Sequence, residues 1–180
     1  MANGLQTTGT KVATSATTWV ITLGVTTGDS IFVVGSFAKL GADMVVGDIS
    51  DDAGNTWVLD KNRRRVGDSD NATIFRCQSA ASTATITITV ANLQTNMSVG
   101  NCFSWRGVNS SPLDVTAGND GFSSTATSGT TATTAQADEL VIAIVTADSA
   151  TGPTDPPTGG SGTYISLFQQ FILKGSQKKK

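Results

Sequence analysis

The chain contains no histidine. That removes Ser-His-Asp triads, Cys-His pairs and His-based metal sites from consideration. Its one glutamate is Glu139, so an acid/base pair made of glutamates is excluded as well. Charge is scarce: 14% of residues carry it, against about 25% in soluble domains. The net charge of −2 gives no reason to expect a nucleic-acid-binding body. No apolar run approaches the roughly 18 residues of a membrane-spanning helix, so no membrane span is expected. The two cysteines, Cys77 and Cys102, fall in different predicted strands. Domains that depend on disulfides carry more cysteines in less chain, so both are expected to be free, half-buried thiols. The opening MANGLQTTGTKVATS lacks the basic and apolar regions of a secretory signal, so the chain is expected to be made in the cytoplasm or to be a mature fragment.

What remains is polar, small and uncharged. Thr and Ser make up roughly a quarter of the 180 residues, beside 19 Gly. The length suits one domain able to bury a core without disulfides or metals. Thr packs well on a pleated surface and Gly punctuates it. Period-two alternation marks strands at Thr17–Leu23 and Thr83–Val90, and again from Met97 to Trp105, with Met97, Val99, Phe103 and Trp105 on one face. Ser30–Ala38 is almost continuously apolar, as in a central strand covered on both faces. Further strands are expected at Met44–Ser50, Thr56–Leu59, Ala72–Cys77 and, buried, Glu139–Ala147. Asp51–Asn55 reads as a hairpin turn, with Gly54 and Asn55 in left-handed conformations. No helix signature of useful length appears. The fold class is all-β: an antiparallel β-sandwich of Ig-like or jelly-roll type, with Thr-rich strands and long Gly/Ser/Thr loops.

The expected organisation is an N-terminal arm at 1–10, a sandwich at 11–173 and a basic tail at 174–180. Within the sandwich, 114–137 reads as a Ser/Thr-rich loop with two weak strands, near Val115–Ala117 and Thr130–Ala135. Residues 150–162 form a Pro/Gly-rich loop.

Candidate chemistry is sparse. Asp48, Asp51, Asp52 and Asn55 gather four oxygen-bearing side chains, as a calcium loop does, but miss the EF-hand spacing and also suit an ordinary turn. Arg63, Arg64 and Arg65 alternate faces on a strand, so they read as solvated or intersubunit ion pairs rather than one anion site. Lys178–Lys180 reads as a solvated tail. Trp57 is the candidate platform for stacking a glycan, although Trp in such strands more often anchors the core. No catalytic residue and no cofactor are expected.

Several phrases together carry a resemblance: "VTTGDSIFVVGSFA", "ISDDAGNTWVLD", "TITITVANLQTNMSVGNCFSWRGVNSSPLDVTAG" and "ADELVIAIVTAD". Over about residues 12–165 the chain resembles Thr/Gly-rich β-sandwich domains of phage virion proteins and of prokaryotic surface proteins. The resemblance brings no catalytic residues. Domains of that type continue with further strands past the position of Tyr164, so here either the final strands are absent, leaving a sheet edge for a neighbouring subunit to cover, or the last segment plays a different role. The implied function is that of a non-enzymatic virion structural protein: a capsid decoration, head-fibre or tail-associated component made in the host cytoplasm. It would bind itself and other virion proteins through Leu5 in the arm and through Tyr164, Ile165, Leu167, Phe168, Phe171 and Ile172. The alternatives are a carbohydrate-binding or adhesin module at the cell surface, with a glycan as partner, and a subunit of an extracellular filament. Fold alone does not separate these.

Overall fold

The structure is a computed structural model. It describes residues 4–10, 12–64, 69–78, 80–81, 84–96, 98–120, 128–130, 132–133, 135 and 140–146. The described strands are β1 (Gly4–Thr8), β2 (Val12–Thr14), β3 (Trp19–Val25), β4 (Ser30–Ala38), β5 (Ile49–Asp51), β6 (Trp57–Arg64), β7 (Asp70–Cys77), β8 (Ala84–Val90) and β9 (Ser98–Arg106). They form two antiparallel sheets packed as a β-sandwich. In the larger sheet β1 and β2 lie one after the other along β9, and the order continues β9-β4-β7-β6. The smaller sheet is β3-β8-β5.

The alternation seen in the sequence is the alternation of burial. Trp19, Ile21, Leu23 and Val25 of β3 turn inward with Ile86, Ile88 and Val90 of β8. Val20, Thr22 and Gly24 face out. Facing them across the core are Ile31, Val33, Phe37, Phe75, Cys77 and Cys102 from the larger sheet. Every residue of β4 is buried, because the outer face of its sheet is covered too. Phe32 and Phe103 stack there with ring centroids 5.1 Å apart. Val34 joins them, and Leu140 and Ile142 pack over the cluster.

Four expectations are corrected. The segment 140–146 is not a buried strand: it has no regular structure, and Val141 is 68% exposed. It rests one side on the outer face of the larger sheet, where it meets side chains rather than a free strand edge. The described residues of the two weak strands near 115–117 and 130–135 are also irregular. Met44–Ser50 is a 3-10 turn, Val46–Asp48, leading into the short β5. Finally, Asp51–Asn55 is no hairpin, since β5 and β6 belong to different sheets. Asp51 Oδ1 accepts the N–H groups of Ala53 and Asn55 at 2.9 and 3.1 Å, and Oδ2 accepts Trp57 Nε1 at 2.7 Å. These bonds wind the chain tightly enough to carry it from one sheet to the other. Gly54 takes the left-handed conformation there, at φ 71°, while Asn55 instead accepts Ala81 N–H through its side chain.

Gly4–Thr8, within the expected N-terminal arm, is an edge strand paired with β9. Leu5 is part of it, opposite Trp105 and 37% exposed.

The cysteines are both free and buried. Cys77 lies opposite Ile31 and Cys102 opposite Val33, with β4 between their strands. Two interstrand spacings place them about 10 Å apart, beyond disulfide reach. Burial pushes the Cys102 thiol up to about 12, so thiolate is scarce at neutral pH. Iodoacetamide is expected to leave both cysteines unmodified in the native protein and to label both in guanidinium. Rapid labelling without denaturant, read by intact mass, would overturn the burial assignment.

Candidate assembly surface

The acidic cluster seen in the sequence is pulled apart by the fold. Among the described residues, no group of three or more His, Cys, Asp or Glu could hold a metal ion. The Asp51 carboxylate is occupied by the turn described above. Asp52 Oδ1 accepts Thr87 N–H at 2.9 Å, a bond that holds its carboxyl below the usual range. Asp48 is 3% exposed and points the other way, into the loop that joins β4 to β5.

That loop, Lys39–Asp48, is braced from several sides. Asp48 accepts Lys39 Nζ at 2.6 Å, Val45 N–H at 2.8 Å and Asn92 Nδ2 at 2.8 Å. Burial pushes the Asp48 carboxyl up, but these three donors together outweigh burial and leave it below its ordinary value. Asn71, fully buried on β7, is the second brace. Its Oδ1 accepts Met44 N–H and Asn62 Nδ2, and its Nδ2 donates to the carbonyls of Phe37, Ala42 and Ser69. Met44 plugs into the core at 1% exposure. Arg64 Nε holds Asp43 Oδ1 at 3.1 Å, tying the loop to the end of β6.

On this scaffold three aliphatic side chains face water: Leu40 at 76%, Val45 at 50% and Val46 at 45% exposure. Single exposed apolar residues are ordinary. Three on one pinned loop, with its charged neighbours Lys39, Asp43 and Asp48 all in ion pairs, make a preformed apolar knob. Sequence reading missed it, because Val45 and Val46 look like strand residues. The signal was Leu40-Gly41 breaking a run whose flanks are apolar, and Gly41 indeed turns at φ 61°.

The carboxylate brace has a pH signature. A carboxyl held below its unfolded value, about 3.9, contributes stability above that pH and loses the contribution as pH falls through the folded value. Asp48→Asn is expected to cost about 2 kcal/mol at pH 7 by stranding Lys39 and weakening two acceptor positions. The gap between variant and wild type in urea titrations should narrow toward pH 3. An equal gap at both values would show that Asp48 acts through shape alone.

The other expected site residues fall as follows. Trp57 is 5% exposed, with its ring in the core and its N–H on Asp51, so it offers no stacking face. Trp19 is fully buried and donates to Val12 O at 3.0 Å. Trp105 is half-buried against the outer-face cluster. Arg63 pairs with Asp120 and Arg64 with Asp43, both within the chain. Arg65 lies outside the described residues, as do Tyr164, Ile165, Leu167, Phe168, Phe171 and Ile172. Among the described residues no helix is long and apolar enough to cross a membrane.

The class these features define is an all-β sandwich with a braced apolar loop. No family model, no curated protein and no solved structure matches the chain.

Proposed function

We propose that this chain is a non-enzymatic structural protein of a virus particle, a phage capsid-decoration, head-fibre or tail-associated component, that works by homo-oligomeric assembly. The observation that carries the reading is the Lys39–Asp48 loop. It spends two buried polar residues, Asp48 and Asn71, on holding Leu40, Val45 and Val46 out in water. Bracing of that kind lowers the ordering cost of a contact.

The edges of the larger sheet argue for contacts through side chains. Among the described residues one edge is β6, bulged between Leu59 and Lys61 and lined with Asp60, Lys61, Arg63 and Arg64. The other is split between β1 and β2 and bulged between Leu5 and Thr7. Bulges and charge discourage strand addition. The glycan-binding alternative has no comparable observation behind it, since the rings of Trp19 and Trp57 are inside the core.

Light scattering over a concentration series is the first test. Wild type is expected to gain mass as concentration rises, and Leu40→Asp to stay monomeric with an unchanged melting temperature. The virion assignment needs a second measurement: tryptic peptides of this chain in phage particles purified on a density gradient. A monomer at every concentration would defeat the assembly reading, and particles free of the chain would defeat the virion reading.

A further inference from the structure

Lys39, Asp48 and Asn92 come from three separate segments and meet at one carboxylate. Lys39 Nζ lies 2.6 Å from Asp48 Oδ2, and Asn92 Nδ2 lies 2.8 Å from Asp48 Oδ1. A primary amine and a primary carboxamide therefore share the two oxygens of a single acid. The side chains of Lys39 and Asp48 are 17% and 2% exposed. Asn92 is exposed, so a group leaving its amide has a way out to water.

The backbone holds this arrangement in place. Lys39 N–H donates to Ser69 O and Ala91 N–H to Asp48 O, both at 2.8 Å. Leu93 N–H donates to Thr17 O at 3.0 Å, and Gln94 N–H to Ala38 O at 2.8 Å. Asn92 is thus flanked by residues tied to Asp48 itself and to the residue before Lys39. Its own backbone turns at φ 58°, a conformation Asn tolerates better than most residues. A nucleophile, an acyl carbon and an acid touching both are the parts of an acyl transfer, held near one another in advance.

We propose that Lys39 and Asn92 join in an intramolecular isopeptide bond, with Asp48 as the proton carrier. One proton passes from the Lys39 ammonium to the Asp48 carboxylate, which turns the ion pair into a neutral amine and a neutral acid. Burial favours the neutral forms. The Nζ lone pair attacks Asn92 Cγ and forms the Nζ–Cγ bond. Asp48 gives its proton to Nδ2 and takes a second one from Nζ. The Cγ–Nδ2 bond breaks and ammonia leaves. Nothing is oxidised or reduced, and no co-reactant is consumed. The three donors on Asp48 keep it mostly ionised, so the neutral pair is a minor species and the bond forms slowly.

The bond ties the end of β4, in the larger sheet, to the turn after β8, in the smaller one. A cross-link closing so long a loop constrains the unfolded chain. In the linked chain Asp48 keeps the bond from Val45 N–H and accepts the new amide N–H, so the pH signature given above for Asp48 belongs to the unlinked chain. The bond does not depend on the assembly reading.

Intact mass tests it. After prolonged incubation at pH 7, the denatured full chain is expected about 17 Da below its sequence mass, the loss of one ammonia. Trypsin cannot cut after an acylated Lys39, so Val12–Lys61 should appear joined to Cys77–Arg106 as one branched peptide. Lys39→Arg keeps the charge but has no nucleophilic amine, and should retain the full mass. Asp48→Asn keeps both reacting groups and should link at least about tenfold more slowly. A wild-type chain at full mass and cut freely after Lys39 overturns the bond, as does a 17 Da loss that persists in Lys39→Arg. Linkage at an unchanged rate in Asp48→Asn overturns the role of Asp48.

Discussion

Gly35→Ala is expected to destabilise the protein by about 3 kcal/mol or more, enough to unfold much of a marginal domain. Gly35 on β4 lies opposite Gly100 on β9. The Phe37 ring lies over the pair, edge-on to Trp19 with centroids 5.5 Å apart. A Cβ on Gly35 would fall 2.6 Å from Phe37 Cζ and 2.7 Å from the Val99 carbonyl oxygen. The ring can shift only by displacing Trp19, which is fully buried, and the carbonyl belongs to the backbone of β9. Gly100→Ala meets its nearest neighbours at 3.0–3.1 Å, so it should cost less. Gly24→Ala meets nothing within 4 Å and serves as the control, expected to be neutral or slightly stabilising. Urea midpoints of the three variants give the order. A Gly35→Ala protein as stable as Gly24→Ala would mean that the Phe37 ring is not seated over the glycine pair.

The second large effect is expected on the outer face of the same sheet. Arg76 on β7 grips Asp60 with two bonds, 2.7 Å from Nε and 3.0 Å from a terminal nitrogen, and a third nitrogen reaches Gln78. Arg76 and Asp60 side chains are only 7% and 8% exposed. Removing one partner strands the other as a buried charge, so Arg76→Met should cost about 3–5 kcal/mol. Replacing both is a different matter, because the desolvation of two ions is then avoided. The double variant Asp60→Leu with Arg76→Met should recover most of the loss. Recovery in denaturant titrations would identify desolvation as the main term. A double variant as unstable as the single one would show that the pair also holds the bulge between Leu59 and Lys61 in shape.

Both effects sit where sequence reading is weakest. Gly35 and Gly100 are visible as glycines inside strands. Nothing in their own segments says that they face each other, since they lie 65 positions apart. Asp60 and Arg76 share the outer face by ordinary alternation, but they meet only because β6 pairs with β7, which neither segment states by itself. The braced loop has the same character. Asp48 reads as part of a strand and of an oxygen-bearing cluster, yet it is a buried hub where Lys39 and the Asn92 turn meet it, and Asn71 is one where the end of β4, the loop after it and β6 meet. Trp57 shows the converse. Its strand pattern pointed to the core, and the core is where it lies, with the Asp51 bond satisfying its N–H.

The all-β class, the strands at Ser30–Ala38, Ala84–Val90 and Ser98–Arg106, and the division of β3 and β8 into apolar and Thr faces were legible in the residues. The reason is that side chains alternate across a strand with period two, and burial follows that alternation whatever the neighbours are. Which strands pair was not legible. Among the described strands β6 and β7 are the one consecutive pair that shares a ladder, and most connections cross from one sheet to the other. A turn sequence such as Asp51–Asn55 specifies a tight reversal but not the sheet that receives the returning strand. Packing of the two apolar faces against each other makes that choice, and with it places the braced loop at one end of the larger sheet.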